Sequence, residues 1–216
     1  MTLPFPLLDD PAALARLECW TEPVYRDLIA LERGELELSD FRSRYVRRRA
    51  VLVLDITGFT EASARGAEAA FLRILHVQRV AGAVFRDGGA VLVRAFADDL
   101  VALFDSPAAA VEAAFEAHRR VAVANAVLDV PDAPSCCVGI GYGDVYAIGP
   151  NLAMGHEMNL ASKLGEDTAC AGETLLTCAA HAAVSAVGSA VGSADARTSF
   201  EWRSTPGLPR YVAARR

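Results

Sequence analysis

The chain has 216 residues, of which 53% are hydrophobic and 22% are charged. A chain of this length and composition can bury a full core, which excludes global disorder. Its formal net charge is −6. Because phosphates repel an acidic surface, this charge argues against broad binding to nucleic acids or to anionic membranes. Any phosphate-binding site is therefore expected to be local.

The first residues carry Asp9 and Asp10 where a secretory signal would carry lysine or arginine. No uncharged apolar stretch reaches the length that a bilayer requires. The five cysteines form no C-x-x-C pair, so we expect buried free thiols and neither disulfides nor a cysteine metal site. These features predict a cytoplasmic protein without a membrane span.

Residues 1–49 are predicted to form a helical preface. Apolar residues at helical spacing predict a helix over residues 11–33, and Gly34 ends it. A second short helix is expected from Ser39, and it would carry a basic run. The run favours a solvated face over a ligand site. Its members are Arg42, Arg44, Arg47, Arg48 and Arg49.

Residues 50–216 are predicted to form one α/β domain. An apolar run predicts a strand over residues 50–54, and helical periodicity follows over residues 62–86. The later predicted elements are strands 90–96 and 100–104, helix 107–128, a hairpin of strands 136–142 and 145–148, helix 157–165, strand 174–177, helix 179–187, a low-complexity loop 188–197 and a final hairpin 200–212. This order predicts an α+β sandwich with a mostly antiparallel sheet and helices on one side of it.

Asp55 and Asp98 are the candidate metal ligands. Each lies at a chain reversal beside an apolar strand, and the two strands are expected to be neighbours. Both carboxylates would then meet at one sheet edge, an arrangement that can hold two divalent cations for phosphoryl transfer. An isolated acid at a strand end is commonly structural. The turn at Gly58 adds to the pair, because a helix that begins there offers backbone N–H groups to a triphosphate.

Four segments resemble, in the same order, the motifs of the class III adenylate/guanylate cyclase catalytic domain. Leu54–Thr60 (LDITGFT) is similar to its D-x-x-G-F-T segment, and Phe96–Asp98 stands where it has an apolar residue, glycine and the second metal aspartate. Gly139–Gly143 (GIGYG) resembles its G-I-H-x-G strand, and Met158–Lys163 (MNLASK) resembles its V-N-x-A-x-R helix. Four motifs in order are far more specific than any one of them. The resemblance covers about residues 48–212 and implies the ferredoxin-like fold of that family.

This resemblance implies an activity and a role for each matching position. The chain would convert a nucleoside triphosphate into a 3′,5′-cyclic nucleotide and pyrophosphate. Asp55 and Asp98 would bind two Mg²⁺ or Mn²⁺ ions, and the Ile56 carbonyl would help to hold one of them. The residues expected to hold the β- and γ-phosphates are Gly58, Phe59 and Thr60.

The same resemblance gives the predicted helix 157–165 its role. Asn159 would orient the ribose from the partner subunit, and Lys163 stands where the family has its transition-state arginine. Because the two lie four residues apart, one helix face would present both. This implies a homodimer with two equivalent sites between its subunits. Lysine keeps the charge of arginine but loses its bidentate fork, which would lower turnover. A basic residue of the tail, Arg203 or Arg210, would reach the triphosphate.

The two positions that select the purine in this family are Arg94 and Leu152 here. Leu152 cannot accept a hydrogen bond from the adenine amino group, and an unpaired buried donor costs about 1–3 kcal/mol. Arg94 offers only donors, which suit carbonyl acceptors such as guanine O6 or the O2 and O4 of uracil. The bulky run Arg94–Asp98 favours a pyrimidine, UTP first, and resembles the bacterial pyrimidine cyclases of antiphage signalling. The alternative is that Arg94 pairs with a surface carboxylate and selects nothing.

Three functions are compatible with the sequence. The first is an active cyclase for a pyrimidine or purine triphosphate, whose product would act on a downstream cyclic-nucleotide effector. The second is a nucleotide-binding or dimerisation module without turnover, which the residues at positions 94, 152 and 163 motivate. The third, a palm-type polymerase or diguanylate cyclase, ranks last because Asp98-Asp99 lacks the glycines of a G-G-D-E-F hairpin.

Overall fold

The computed structural model describes residues 6–130, 132–148, 152–191 and 198–216. The chain has two compact units, Met1–Arg47 with Asp144–Gly155, and Arg48–Gly143 with His156–Arg216. The functional division predicted at residues 49 and 50 stays a prediction. Of the helices within the described ranges, none is both long and apolar enough to cross a bilayer.

The described residues form eight helices and eight strands. The helices are α1 (Pro11–Ala15), α2 (Glu22–Glu32), α3 (Leu38–Tyr45), α4 (Phe59–Arg65), α5 (Ala67–Asp87), α6 (Pro107–Val127), α7 (His156–Glu166) and α8 (Cys178–Val191). The strands are β1 (Val46–Ile56), β2 (Leu92–Phe96), β3 (Asp99–Phe104), β4 (Cys136–Ile148), β5 (Leu152–Met154), β6 (Thr174–Thr177), β7 (Ser199–Arg203) and β8 (Tyr211–Arg215). The predicted mixed α/β class is confirmed.

Two predicted helices are each divided in the structure. The helix predicted over residues 11–33 is interrupted between α1 and α2, and Pro23 lies in the first turn of α2, where its missing N–H costs no hydrogen bond. The helix predicted over residues 62–86 begins earlier, at Phe59, and is broken at Gly66 between α4 and α5. Helical periodicity continues across both breaks, so it could not reveal them.

The predicted hairpin over residues 136–148 is wrong. Residues 136–148 form the single long strand β4, and its antiparallel partner is the short strand β5, which pairs through Ala147 and Ala153. The prediction took Gly143-Asp144 as a turn signal, but both residues continue the strand. At the other end of the chain, α8 runs to Val191, beyond the predicted residue 187. The rest of the predicted loop, residues 192–197, lies outside the described residues.

The basic run divides between a helix and a strand, and does not lie on one helix as predicted. The helix α3 begins after Glu37 and ends at Tyr45, so Arg47, Arg48 and Arg49 belong to β1. Arginines of the run pair with carboxylates, as expected of a solvated face. Their ion pairs are Arg44 with Asp27 at 2.7 Å, Arg42 with Asp144 at 3.8 Å and Arg49 with Asp105 at 2.8 Å.

One sheet joins the strands in the order β2-β3-β1-β4-β6-β8-β7, and β5 pairs with β4. The pairs β1–β3, β2–β3, β4–β5, β6–β8 and β7–β8 are antiparallel, whereas β4–β6 is parallel. The predicted mostly antiparallel sheet is therefore confirmed. The strand β1 lies near the centre and carries a run of buried residues from Ala50 to Leu54, which matches its apolar sequence.

Helices lie on both faces of the sheet and not on one face as predicted. Leu176 of β6 belongs to the large core that includes residues of α5, α6 and α8. Its neighbour Leu175 packs instead with Leu164 of α7. Because successive residues of a strand point to opposite faces, α7 covers the face away from the other three helices. Sequence order alone could not assign a short helix to a face.

All five cysteines are free thiols. Cys136 and Cys137 are buried as predicted, and burial raises their pKa values to about 12 and about 11. Cys170 and Cys178 are exposed, so the prediction of burial was wrong for these two.

Candidate active site

The end of β1 and the turn between β2 and β3 bring three aspartates together. Asp55 is the penultimate residue of β1, and Asp98 lies in the two-residue turn that precedes Asp99. The pairing of β1 with β3 runs to Leu54 opposite Leu100. One further step in this register sets Asp55 opposite Asp99. The structure thus places Asp55 and Asp98, the two predicted metal ligands, at one end of adjacent strands.

The charges of these acids interact. Burial, the charge of Asp98 and the charge of Glu166 raise the pKa of Asp55 to about 6. Burial and the charges of Glu166, Asp55 and Asp98 raise the pKa of Asp99 to about 7. Carboxylates that are half-buried near one another resist ionisation, because burial and like charge both disfavour the charged form. This end of the sheet therefore concentrates negative charge.

Two members of this cluster were not among the predicted site residues. From the sequence, Asp99 is considered only in the comparison with a G-G-D-E-F hairpin, although the register of β1 and β3 identifies it as the neighbour of Asp55. Glu166 ends α7, far away along the chain. Its approach depends on how α7 packs against the sheet, for which the sequence carries no direct signal.

Asp55 and Asp99 project from the sheet face away from α5 and α6. Their neighbours Leu54 and Leu100 belong to the core on the side of α5 and α6. Adjacent strand residues alternate between the two faces of the sheet. Arg94 projects from the same face as the two acids, since its neighbour Val93 packs against that core. Among the described residues, Arg94 has no carboxylate within ion-pair distance. The choice between a ligand role and a surface pair for Arg94 stays a prediction.

The carboxylates of Asp55 and Asp98 suit a divalent cation that is also bound by the phosphates of a substrate. Within the described ranges, no group of three or more His, Cys, Asp or Glu side chains is arranged to hold a metal ion. Mg²⁺ in triphosphate sites is usually bound by one or two carboxylates together with the phosphates themselves. Asp55 and Asp98 meet that smaller requirement, and the raised pKa of Asp55 is of the kind that a bound cation would reverse.

A turn and a short helix follow Asp55 directly. Gly58 has a left-handed backbone, φ +74°, and precedes the first residue of α4, Phe59. That conformation is accessible to glycine at little cost, and it places the unpaired N–H groups of the first helical turn next to the acidic cluster along the chain. Thr60 follows in the same turn, but its side chain lies outside the described part of the structure.

The helix α7 presents Asn159 and Lys163 on its exposed side. Both are exposed, whereas Ala161 and Leu164 of the same helix are buried. Lys163 Nζ lies 3.8 Å from a carboxylate oxygen of Asp167. The predicted sharing of one face is therefore present.

Glycines of β4 determine how closely α7 approaches the sheet. A Cβ atom at Gly139 would lie 2.0 Å from the Ala161 carbonyl oxygen, and one at Gly141 would lie 2.4 Å from the Glu157 carbonyl oxygen. The Glu157 carboxylate also accepts hydrogen bonds from the Tyr142 N–H at 3.0 Å and the Thr177 hydroxyl at 2.7 Å. Backbone-to-backbone packing of this kind is possible only without side chains on the strand.

The remaining predicted positions are less informative. Leu152 begins β5 and pairs with Ile148, but its side chain lies outside the described part. Arg203 donates to Glu173 at 2.8 Å and to Glu201 at 3.4 Å. Its guanidinium is therefore already paired with carboxylates of its own subunit. Arg210 lies over the Trp202 ring, 4.9 Å from its centroid, and this leaves Arg210 as the better candidate for an anion.

The raised pKa of Asp99 predicts how the stability of the metal-free protein depends on pH. A carboxyl group whose pKa is higher in the fold than in the unfolded chain destabilises the fold when it ionises. For Asp99 this cost is absent below the ordinary value of 3.8 and fully developed above about pH 7. We expect the protein in EDTA to lose thermal stability between about pH 5 and about pH 8, and Asp99→Asn to lose less. Thermal unfolding of both proteins at both pH values checks this, and equal losses would contradict it.

Comparison with known proteins finds relatives by structure only. No protein-family model matches this chain, and no curated protein matches it. The adenylyl cyclase CyaB from P. aeruginosa is 21% identical, with a TM-score of 0.60, and the match covers 78% of this chain and 93% of that one. The adenylate/guanylate cyclase/hydrolase from Silicibacter pomeroyi is 18% identical, with a TM-score of 0.59 and coverage of 78% and 95%.

A third match is to an adenylate cyclase from Trypanosoma brucei, which is 16% identical with a TM-score of 0.61 over 77% of this chain and 87% of that one. At these identities the likeness shows the fold alone. The chain therefore has the class III fold of adenylyl and guanylyl cyclase catalytic domains.

Proposed function

We propose that this protein is a nucleotide cyclase that converts a nucleoside triphosphate into a 3′,5′-cyclic nucleotide and pyrophosphate. One observation carries the proposal: in a cyclase fold, Asp55 and Asp98 lie at the same end of neighbouring strands and their charges interact. Separate acids at two strand ends would be unremarkable, but a half-buried interacting pair beside a helical turn is suited to a metal–triphosphate complex.

Asp55, Asp98 and the Ile56 carbonyl would hold two divalent cations, Mg²⁺ or Mn²⁺, which supply Lewis-acid activation of the ribose 3′-hydroxyl and neutralise phosphate charge. The Ile56 side chain is 2% exposed and belongs to the core, so its backbone is firmly anchored. Gly58, Phe59 and Thr60 would donate backbone N–H groups to the β- and γ-phosphates. The 3′-oxygen would attack the α-phosphorus in line, so that one P–O bond forms as the bond to pyrophosphate breaks, and the hydroxyl proton would leave to solvent water.

The other half of the site would come from a second copy of the chain. Asn159 would hold the ribose and Lys163 would face the α-phosphate, as both side chains are exposed on one side of α7. The α7 helix of the same subunit approaches the acids with its last residue, Glu166, whose negative charge is unsuited to a phosphate. A homodimer with two interfacial sites supplies the positive charge of Lys163 in its place.

Base selection would depend on Arg94 and Leu152. Arg94 projects from the face that carries Asp55 and lacks a carboxylate partner among the described residues, so its guanidinium is available to the carbonyl oxygens of a base. Together with the apolar residue at position 152, this favours UTP and a cyclic UMP product. As a second messenger, that product would act on a cyclic-nucleotide effector in the cytoplasm, and antiphage defence is the role that we favour.

A second function has one observation in its favour. The amine of Lys163 already lies near Asp167, at 3.8 Å, and lysine lacks the planar fork that grips a phosphate in two places. A dimeric nucleotide-binding module without turnover would tolerate both features. We rank it below the cyclase because the acidic pair and Asn159 are both present.

Product identification distinguishes these functions. The purified protein is incubated with Mn²⁺ and with ATP, GTP, CTP or UTP in separate reactions, and products are identified by mass. We expect a 3′,5′-cyclic nucleotide and pyrophosphate in equal amounts, formed fastest from UTP. Nucleotide binding without cyclic product from any triphosphate would favour the inactive module. A purine preference would keep the cyclase and overturn the assignment of the base.

A further inference from the structure

Thr57 lies between the metal-binding and phosphate-binding residues of the proposed site, yet its polar groups point into the protein. Its N–H donates to the Ser135 carbonyl at 3.0 Å, and its hydroxyl donates to the same carbonyl at 3.2 Å. The Ser135 N–H donates in return to the Thr57 hydroxyl oxygen at 3.0 Å. This reciprocal arrangement joins the turn after β1 to the residue that precedes β4.

The remaining backbone group of Thr57 is held by an arginine of α5. Arg73 Nη2 donates to the Thr57 carbonyl at 3.0 Å, and its Nη1 donates to the Asp132 carbonyl. One planar guanidinium therefore bridges the turn and the loop between α6 and β4 through two of its nitrogens, a fixed fork that lysine lacks. Both polar backbone groups of Thr57 and its hydroxyl are thus engaged within its own subunit.

The loop before β4, which forms hydrogen bonds with Thr57, is itself held by hydrogen bonds to two helices. Asn125 of α6 donates its amide to the Pro134 carbonyl at 2.8 Å, and the Asn125 amide oxygen lies 2.9 Å from His76 Nε2 on α5. A continuous set of hydrogen bonds thus runs from α5 and α6 through Pro134 and Ser135 to Thr57. Connected, partly buried networks of this kind restrict their members to one arrangement.

We propose that Thr57 is a positioning residue of the site: it fixes the Ile56 carbonyl in the orientation that a metal–triphosphate complex needs. This rests on the proposed function. Thr57 acts through its neighbours and does not contact substrate, since its own groups are already used. Groups that orient a metal ligand typically change metal affinity by about 10- to 100-fold when removed. Arg73 contributes to the same effect through the Thr57 carbonyl.

The test compares Thr57→Val, which removes the hydroxyl while keeping the branched shape, with Thr57→Ser, which keeps the hydroxyl. Mn²⁺ affinity is measured by water-proton relaxation in the presence of UTP, and cyclase turnover is titrated with Mn²⁺. We expect Thr57→Val to weaken Mn²⁺ binding about tenfold while turnover at saturating Mn²⁺ changes less than about threefold. Thr57→Ser is expected to remain close to wild type. If Thr57→Val does not fold, Arg73→Lys replaces it with the same expected shift.

The outcomes separate this inference from the proposed function. Wild-type protein that binds no Mn²⁺ with any triphosphate and makes no cyclic product would overturn the proposed function and this inference with it. Wild-type protein that binds Mn²⁺, with Thr57→Val equal to it in affinity, would overturn the positioning role alone. A loss of turnover in Thr57→Val at unchanged Mn²⁺ affinity would also contradict the inference, because it would indicate a direct role in the reaction.

Discussion

Replacing Asp55 by asparagine is expected to abolish cyclic-nucleotide formation, with a loss of at least about a thousandfold. The amide keeps the shape of the carboxylate but lacks the negative charge that binds a divalent cation. A metal ion contributes several kcal/mol to a phosphoryl transition state, and each 1.4 kcal/mol or so is a factor of ten in rate. The change is measured as turnover at saturating Mn²⁺ with the best triphosphate.

The same variant should remain folded and be slightly more stable near neutral pH. Burial and the charges of Asp98 and Glu166 raise the pKa of Asp55 to about 6, so ionised Asp55 destabilises the metal-free fold and its removal relieves that cost. Asp105→Asn is the matched control. Asp105 follows the opposite end of β3 and forms an exposed ion pair with Arg49 at 2.8 Å, which contributes little to stability. If Asp55→Asn retained turnover, or if Asp105→Asn lost as much turnover, Asp55 would not be a metal ligand.

Replacing Gly139 by alanine is expected to destabilise the protein by about 3 kcal/mol or more. The new Cβ would lie 2.0 Å from the Ala161 carbonyl oxygen and 2.6 Å from the Gly165 nitrogen. Both atoms belong to the backbone of α7, so no side-chain rotation relieves the overlap and the helix must move away. Because α7 carries Asn159 and Lys163, activity should fall along with stability.

Gly82→Ala is the matched control for that experiment. Gly82 lies within α5, and a Cβ there meets no atom within 4 Å. Alanine is favoured over glycine inside a helix by about 0.5–1 kcal/mol, so this variant should gain stability. Urea unfolding of both variants measures the two free energies. If Gly139→Ala has wild-type stability, α7 does not pack as closely against β4 as described.

Local sequence signals predicted which strands and helices carry the site. They predicted less well how these elements are arranged in space. The apolar run that ends at Asp55 and the paired strands around Asp98 are short, uninterrupted patterns, and both are present as predicted. The segment Gly139–Gly143 was matched as a motif, but its physical reason is the contact with α7. That contact lies between residues distant in sequence. The predicted turn at Gly143 failed for the same reason, since glycine there permits close packing against Glu157 and does not end the strand.

The composition of the acidic cluster also depended on tertiary structure. The sequence offers Asp99 only for comparison with a G-G-D-E-F hairpin, whereas the register of β1 against β3 sets it opposite Asp55. Glu166 enters the cluster because α7 packs on the face away from α5 and α6, which contradicts the predicted one-sided arrangement. Neither could follow from periodicity, because periodicity describes one element at a time.

The composite nature of the proposed site is tested most directly by mixing two inactive variants. The Asp55→Asn variant lacks a metal ligand, and the Asn159→Ala variant lacks the residue that would hold the ribose. Each variant should be inactive alone. After the subunits reassort at random, about half of the dimers contain one copy of each, and each such dimer has one complete site of two. The account predicts recovery of about a quarter of wild-type turnover in the mixture. No recovery in mixed dimers that have demonstrably formed, or full turnover by a monomer, would contradict it.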